Sequence, residues 1–210
     1  MCGRFTLTTH DFDELLDKLE VEADPTLAAA YRPRYNLPPT DPHMIVVTDG
    51  KRRLVPARWG FGRKTLQINA RAETVDRNGL YKQAFAERRC LIPADGFYEW
   101  TGAAGKRRPI WFHAQPGELL LFAGFYDERG FCIITTAANA DVAPVHDRMP
   151  AIIAKDRADE YLTGPDPKSL LVPAPKGLLV ITPVSSRANS VANDDADCLG
   201  PPDPEQLALI

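Results

Sequence analysis

Cys2 stands directly behind the initiator methionine, in Met1-Cys2-Gly3-Arg4-Phe5. Its side chain is small, so trimming of Met1 is expected, leaving an α-amine and a thiol on one residue. Their ordinary pKa values, about 7.8 and about 8.5, give each a nucleophilic fraction at neutral pH. Such a 1,2-aminothiol condenses with an aldehyde, first as an imine and then as a five-membered thiazolidine. The alternative is a small hydrophobe tucked beneath a strand.

Four other phrases are rich in groups that move protons or bind anions: Arg34-Tyr35-Asn36-Leu37-Pro38-Pro39, Ile68-Asn69-Ala70-Arg71-Ala72-Glu73-Thr74, Ala94-Asp95-Gly96-Phe97-Tyr98-Glu99-Trp100 and Val145-His146-Asp147-Arg148-Met149-Pro150. Glu99 is flanked by aromatics, and desolvation there would suit it to general acid–base work. It reads equally as an outward strand residue paired with a cation. His146 titrates near neutrality and can shuttle protons, although a lone histidine is more often structural. Asn69 either donates to a substrate oxygen or holds a turn. Arg71 and Arg148 carry the guanidinium fork that matches phosphate, but arginines are also ordinary surface residues. Trp59 is either a stacking platform for a base or part of the core.

Elements must bring these groups together. With 210 residues the chain can bury one full core, and no apolar run approaches a membrane span. The start of the sequence lacks the pattern of a secretory leader, so a cytoplasmic protein is expected, nucleoid-associated in a bacterium. Cys2, Cys90, Cys132 and Cys198 show no metal-ligand spacing, so no metal site or other cofactor is expected, and no disulfide framework. Net charge is −3, yet residues 51–108 hold 14 Lys/Arg against 5 Asp/Glu. Clusters 51–53 and 106–108 read as hairpin turns, and such asymmetry can focus an anionic ligand on one face.

The spacing predicts strands over 3–8, 44–48, 53–58, 89–93, 96–101, 109–113, 119–127, 130–136 and 177–183. It predicts helices over 9–19, 74–87 and 156–162, the first capped by Thr9 or Asp11. Segment 31–42 is proline-rich and extended. Turns are expected at 49–50, 102–106 and 128–130. Strands that follow one another with few helices between them favour an antiparallel α+β fold over βαβ units. One domain is expected over 1–188, followed by an acidic, proline-containing and loosely ordered tail over 189–210.

In this order, Met-Cys-Gly-Arg-Phe, Arg-Tyr-Asn-x-x-Pro, Trp-Gly, Asn-Ala-Arg-Ala-Glu-Thr, Gly-Phe-Tyr-Glu-Trp and His-Asp-Arg-Met-Pro resemble the SOS-response-associated peptidase (SRAP) family over residues 2–185. The resemblance implies a compact α+β domain with antiparallel, barrel-like sheets. It implies recognition of abasic sites in single-stranded DNA and covalent capture of the ring-opened sugar by Cys2. Asn69 would orient the sugar or the amine, Glu99 would assist proton transfers, and His146 would act on the sugar hydroxyls, in crosslink reversal and in strand cleavage. Arg4, Arg71 and Arg148 would grip phosphates. Asn36 and Pro39 would line the DNA path, Thr135 would lie near the site, and Trp59 and Met149 belong to the matching phrases as DNA-binding candidates. A monomer is expected, without membrane association.

The sequence departs from the family after Trp59-Gly60, where many members carry a longer loop with a second tryptophan that wedges against DNA; Phe61 is the nearest substitute. Two other readings of Cys2 stand beside this one. An N-terminal-nucleophile amidohydrolase or peptidase would use the amine as base, with Met1 removal as one such activity. A module that binds damaged DNA without covalent capture would not need Cys2.

Overall fold

The computed structural model describes residues 2–62, 65–103 and 106–203. Met1, Arg63, Lys64, Ala104, Gly105 and 204–210 lie outside the described residues, and with them part of the expected 102–106 turn and of the expected tail.

In chain order the strands are β1 (Phe5–Leu7), β2 (Glu22–Ala23), β3 (Arg34–Leu37), β4 (Pro42–Thr48), β5 (Arg52–Arg58), β6 (Asn69–Arg71), β7 (Arg89–Ala94), β8 (Gly96–Thr101), β9 (Arg108–His113), β10 (Leu120–Asp127), β11 (Gly130–Ala137), β12 (Arg148–Pro150), β13 (Ile152–Ile153) and β14 (Val180–Pro183). The α-helices are α1 (Phe12–Leu19), α2 (Lys82–Glu87) and α3 (Ala158–Thr163). A smaller sheet runs β14-β9-β8-β1-β3, and a larger one runs β12-β11-β10-β7-β4-β5-β2, with β13 on β10 and β6 on β11. All pairings are antiparallel except β6–β11 and β2–β5. Both sheets are open. The expected α+β class holds, and the barrel-like closure is replaced by two stacked sheets.

The alternation of side chains explains the layering. In the large sheet Ile45, Val47, Cys90, Ile92, Phe122 and Ile133 point toward the small sheet and meet Phe5, Leu37, Phe97 and Phe112. Their neighbours Val46, Leu91, Leu121, Ala123, Cys132 and Ile134 point the other way, onto Leu15 and Leu19 of α1, Phe85 of α2 and Tyr161 of α3. Strands buried on both faces read as continuous apolar runs, which is why β7, β10 and β11 are so plain in the sequence. Asp11 caps α1, its carboxylate accepting from the Asp13 and Glu14 amides, an arrangement worth about 1 kcal/mol.

Two expectations fail. Only Lys82–Glu87 of the predicted 74–87 helix is helical. Asn78 folds its side chain onto the Leu80 amide at 2.9 Å, an Asx turn that competes with the helix, and Gly79 follows it. The segment after Asn189 is packed rather than loose as far as it is described. Cys198 is fully buried with Ala188 and Val184 against Tyr98. Asp194 accepts from the Tyr35 and Asn36 amides at 2.7 and 2.9 Å and from Arg34 Nε at 2.5 Å. This strap closes the outer face of the small sheet.

Candidate active site

The amino-terminal residues enter the fold through β1, which lies between β8 and β3. The Tyr98 amide donates to the Arg4 carbonyl at 3.0 Å, locking the entry to β1 against β8. Cys2 is thereby fully buried among the residues between the two sheets. Its Sγ lies 3.7 Å from the Arg4 carbonyl. Burial, and after it the Glu99 carboxylate, push the thiol well above its ordinary range, so it rests as S–H.

Asn69 arrives from the large sheet. Trp59 is fully buried, its ring parallel to Phe131 and its Nε1–H donating to the Ile68 carbonyl at 3.0 Å. The Ile133 amide donates to the same carbonyl at 3.1 Å. Gly130 makes this closeness possible: at φ +137° it sits where a Cβ would lie 2.3 Å from the Arg58 carbonyl oxygen. So pinned, β6 delivers Asn69 with its Nδ2 donating to the Cys2 carbonyl at 2.7 Å. Asn69 Oδ1 is buried and has no hydrogen-bond partner among the described residues.

Glu99 comes from β8 and is 4% exposed. Burial raises its carboxyl above the usual range, and nearby positive charge, His146 included, works against that rise. His146 ends a turn organised by Asn139, whose Oδ1 accepts from the Asp141 and Val142 amides. The Arg148 amide donates to His146 Nδ1 at 2.9 Å. Asp147 Oδ1 lies 3.1 Å from that nitrogen and becomes its partner when the ring is protonated.

Cys2, Asn69, Glu99 and His146 thus come together from four segments of the chain. The arrangement holds a buried thiol, a fixed amide, a carboxyl with raised proton affinity and an anchored imidazole, a set suited to proton transfers around an electrophilic carbon. Among the described residues no three His, Cys, Asp or Glu side chains are grouped to hold a metal ion.

The candidate DNA contacts divide. Arg71 is exposed. Arg4 is half-buried beneath Trp100, its Nη1 donating to Asn36 Oδ1 at 2.7 Å and to the Ala188 carbonyl at 3.1 Å. Arg148 is held by Glu73, with Nη1–Oε1 2.5 Å and Nη2–Oε2 3.0 Å. Pro39 is half-buried in the turn after β3. Asn36, Trp59, Thr135 and Met149 are all buried and act as supports. Asn36 Nδ2 ties down the carbonyls of Ala188, Ser190 and Asn193. Thr135 links β6 to β12 through the Ala70 carbonyl and Arg148. Met149 Sδ receives the Asn139 amide. Phe61 is fully buried in the helix-side core and cannot reach a ligand as a wedge.

The 51–53 turn is neutralised internally, by Glu22, Asp159 and Asp49. Sequence reasoning passed over Glu73 and Asp194. Alternation in Asn69-Ala70-Arg71-Ala72-Glu73 was the available signal for the first, since odd positions share one side. Asp194 acts across nearly 160 residues and leaves no local signal.

Comparison with known proteins gives a consistent picture. A family model described as SOS response associated peptidase (SRAP) matches residues 1–191. The abasic site processing protein YoaM of Bacillus subtilis (strain 168) is 35% identical over 225 residues, covering 95% of this chain and 97% of its own length. The abasic site processing protein YedK of Escherichia coli (strain K12) is 27% identical, covering 96% and 100%. A crystal structure of a Bacteroides thetaiotaomicron protein superposes with a TM-score of 0.81 at 18% identity, over 95% of this chain and 99% of that one, a likeness of fold.

Proposed function

Because the chain belongs to the SOS response associated peptidase family, we propose that it processes abasic sites in single-stranded DNA, capturing the ring-opened sugar covalently on Cys2. The observation that carries this reading is the convergence of buried Cys2 and Glu99 with half-buried Asn69 and His146.

The chemistry follows from the environment of each group. Removal of Met1 exposes the Cys2 amine. With the thiol held as S–H by burial and by Glu99, the amine attacks the C1′ aldehyde first and forms a carbinolamine. Glu99, its proton affinity raised by burial, donates a proton to the departing hydroxyl; water leaves and an iminium forms that keeps its N–H. The Glu99 carboxylate then takes the thiol proton as sulfur adds to the iminium carbon, which leaves a neutral ring amine and restores the Glu99 acid. The balance is one aldehyde and one aminothiol giving one thiazolidine and one water. Positioned proton transfers of this kind contribute about 10²–10⁴ in rate. Asn69 fixes the Cys2 carbonyl, and its buried Oδ1 suits it to receive the new amine or a sugar hydroxyl. His146 serves the sugar hydroxyls through Nε2. Capture by sulfur removes the iminium that would otherwise drive β-elimination.

The test incubates the protein, its Met1 removal checked by mass, with a single strand holding one abasic site. Wild type is expected to give a conjugate stable to boiling in detergent, and Cys2→Ala none. A conjugate of equal yield and stability from Cys2→Ala, or none from processed wild type, overturns the proposal.

A further inference from the structure

The Arg148–Glu73 pair meets end-on through both Nη groups of the arginine. The Arg148 side chain is 11% exposed and the Glu73 side chain 52% exposed, so the outward member is the carboxylate. Both Glu73 oxygens meet the two Nη groups at 2.5 and 3.0 Å, the paired geometry in which a guanidinium also receives two phosphate oxygens. Behind the fork, Arg148 Nη2 donates to the Thr135 carbonyl at 2.5 Å and to Thr135 Oγ1 at 3.3 Å. The guanidinium is therefore held from the protein side whether or not Glu73 is in place. Exposed Arg71 lies near enough to lower the Glu73 carboxyl, after the larger effect of Arg148. Arg148 thus holds the internal anion with Arg71 nearby, and each is two residues from a site group, Arg71 from Asn69 and Arg148 from His146.

We propose that Glu73 is a displaceable stand-in for a backbone phosphate, occupying the Arg148 fork in the free protein and yielding to a phosphate beside the lesion. The inference rests on the reading that single-stranded DNA is the ligand. A tethered carboxylate competes as a high local concentration of anion. A lone phosphate cannot displace it, whereas a phosphate anchored by the rest of a bound strand can. Glu73 then lowers overall affinity while favouring strands engaged at several points, and it keeps Arg148 oriented until such a strand arrives.

The test is a double-mutant cycle on equilibrium binding of a short single strand carrying a tetrahydrofuran residue, which has no aldehyde and so cannot crosslink. Wild type, Glu73→Gln, Arg148→Gln and the double variant are compared at one salt concentration, with melting temperatures recorded. Glu73→Gln is expected to bind on the order of tenfold tighter than wild type, and that gain to fall below about twofold when Arg148 is already Gln. Glu73→Asp keeps the charge but shortens the reach; it is expected to show a smaller gain, again dependent on Arg148, and it carries the test if the amide variant does not fold. No gain from either variant, or an equal gain with and without Arg148, overturns the inference while leaving the proposed function standing. No strand binding by wild type overturns the proposed function and the inference with it.

Discussion

Two buried polar clusters flank β1, and they are finished differently. On the β3 side, Asp194 receives Arg34 and the amides of Tyr35 and Asn36, Arg34 also meets Asp41 at 2.5 Å, and the Asn36 amide is shared among three carbonyls. On the β8 side, Cys2 and Glu99 are pushed up by burial, and the Asn69 carbonyl oxygen is buried without a partner among the described residues. Buried polar groups are ordinarily matched. The first cluster obeys that rule and ties the strap to the sheet. The second departs from it, as sites prepared for a reactant do. The difference teaches how to divide the polar interior: the matched groups of the strap serve the fold, and the Asn69 side-chain oxygen left open beside Cys2 marks the side proposed for chemistry.

The largest expected effect tests the site side. Glu99→Gln removes a buried carboxyl that burial disfavours in its charged form, so stability is expected to hold or rise. The single-turnover crosslinking rate is expected to fall about 10²–10⁴-fold. A variant that melts early yet crosslinks at the wild-type rate would erase the comparison.

Next comes the strap side. Asp194→Ala strips the partner from Arg34 Nε and two strand amides, with an expected loss of about 3 kcal/mol in denaturant unfolding. The crosslinking rate of the folded protein at saturating DNA is expected to stay within about threefold of wild type, since the Asp194 hydrogen bonds end on β3.

The smallest effect sharpens the same division with a matched histidine. His43 is 6% exposed, donates from Nε2 to the Pro93 carbonyl at 2.9 Å and packs edge-on to Phe5. Burial depresses its pKa from 6.5 to about 4. Below pH 6.5 the unfolded chain takes up a proton that the folded chain refuses until pH 4. Its contribution is therefore whole above pH 6.5 and is lost between pH 6.5 and 4, to a total on the order of 3 kcal/mol. Unfolding titrations from pH 7 to 4 should show this slope, and His43→Gln should flatten it without slowing crosslinking at pH 7.

The strands were readable because burial on two faces writes itself as apolar runs, and α1 because Asp11 and its leucines are local signals. The 74–87 segment misled because its apolar spacing suits a helix while Asn78 and Gly79 break it. The strap was opaque because Asp194 and Cys198 act through contacts distant in sequence. At the site, the residues taken singly left Glu99 and His146 open between structure and chemistry, and the ordered family phrases joined them to Cys2. Those phrases did not separate contact from support. Trp59, Thr135 and Met149 hold the site from behind, and Glu73, unnoticed within its phrase, holds Arg148.

The most direct test of the central claim is a mass measurement on the purified DNA conjugate after denaturation and exhaustive thiol alkylation. The chain has four cysteines. A thiazolidine on Cys2 predicts a conjugate mass equal to Met1-free protein plus oligonucleotide less one water, with only three thiols alkylated. A conjugate that still alkylates at four thiols, or that retains Met1, contradicts capture by the Cys2 amine and sulfur together.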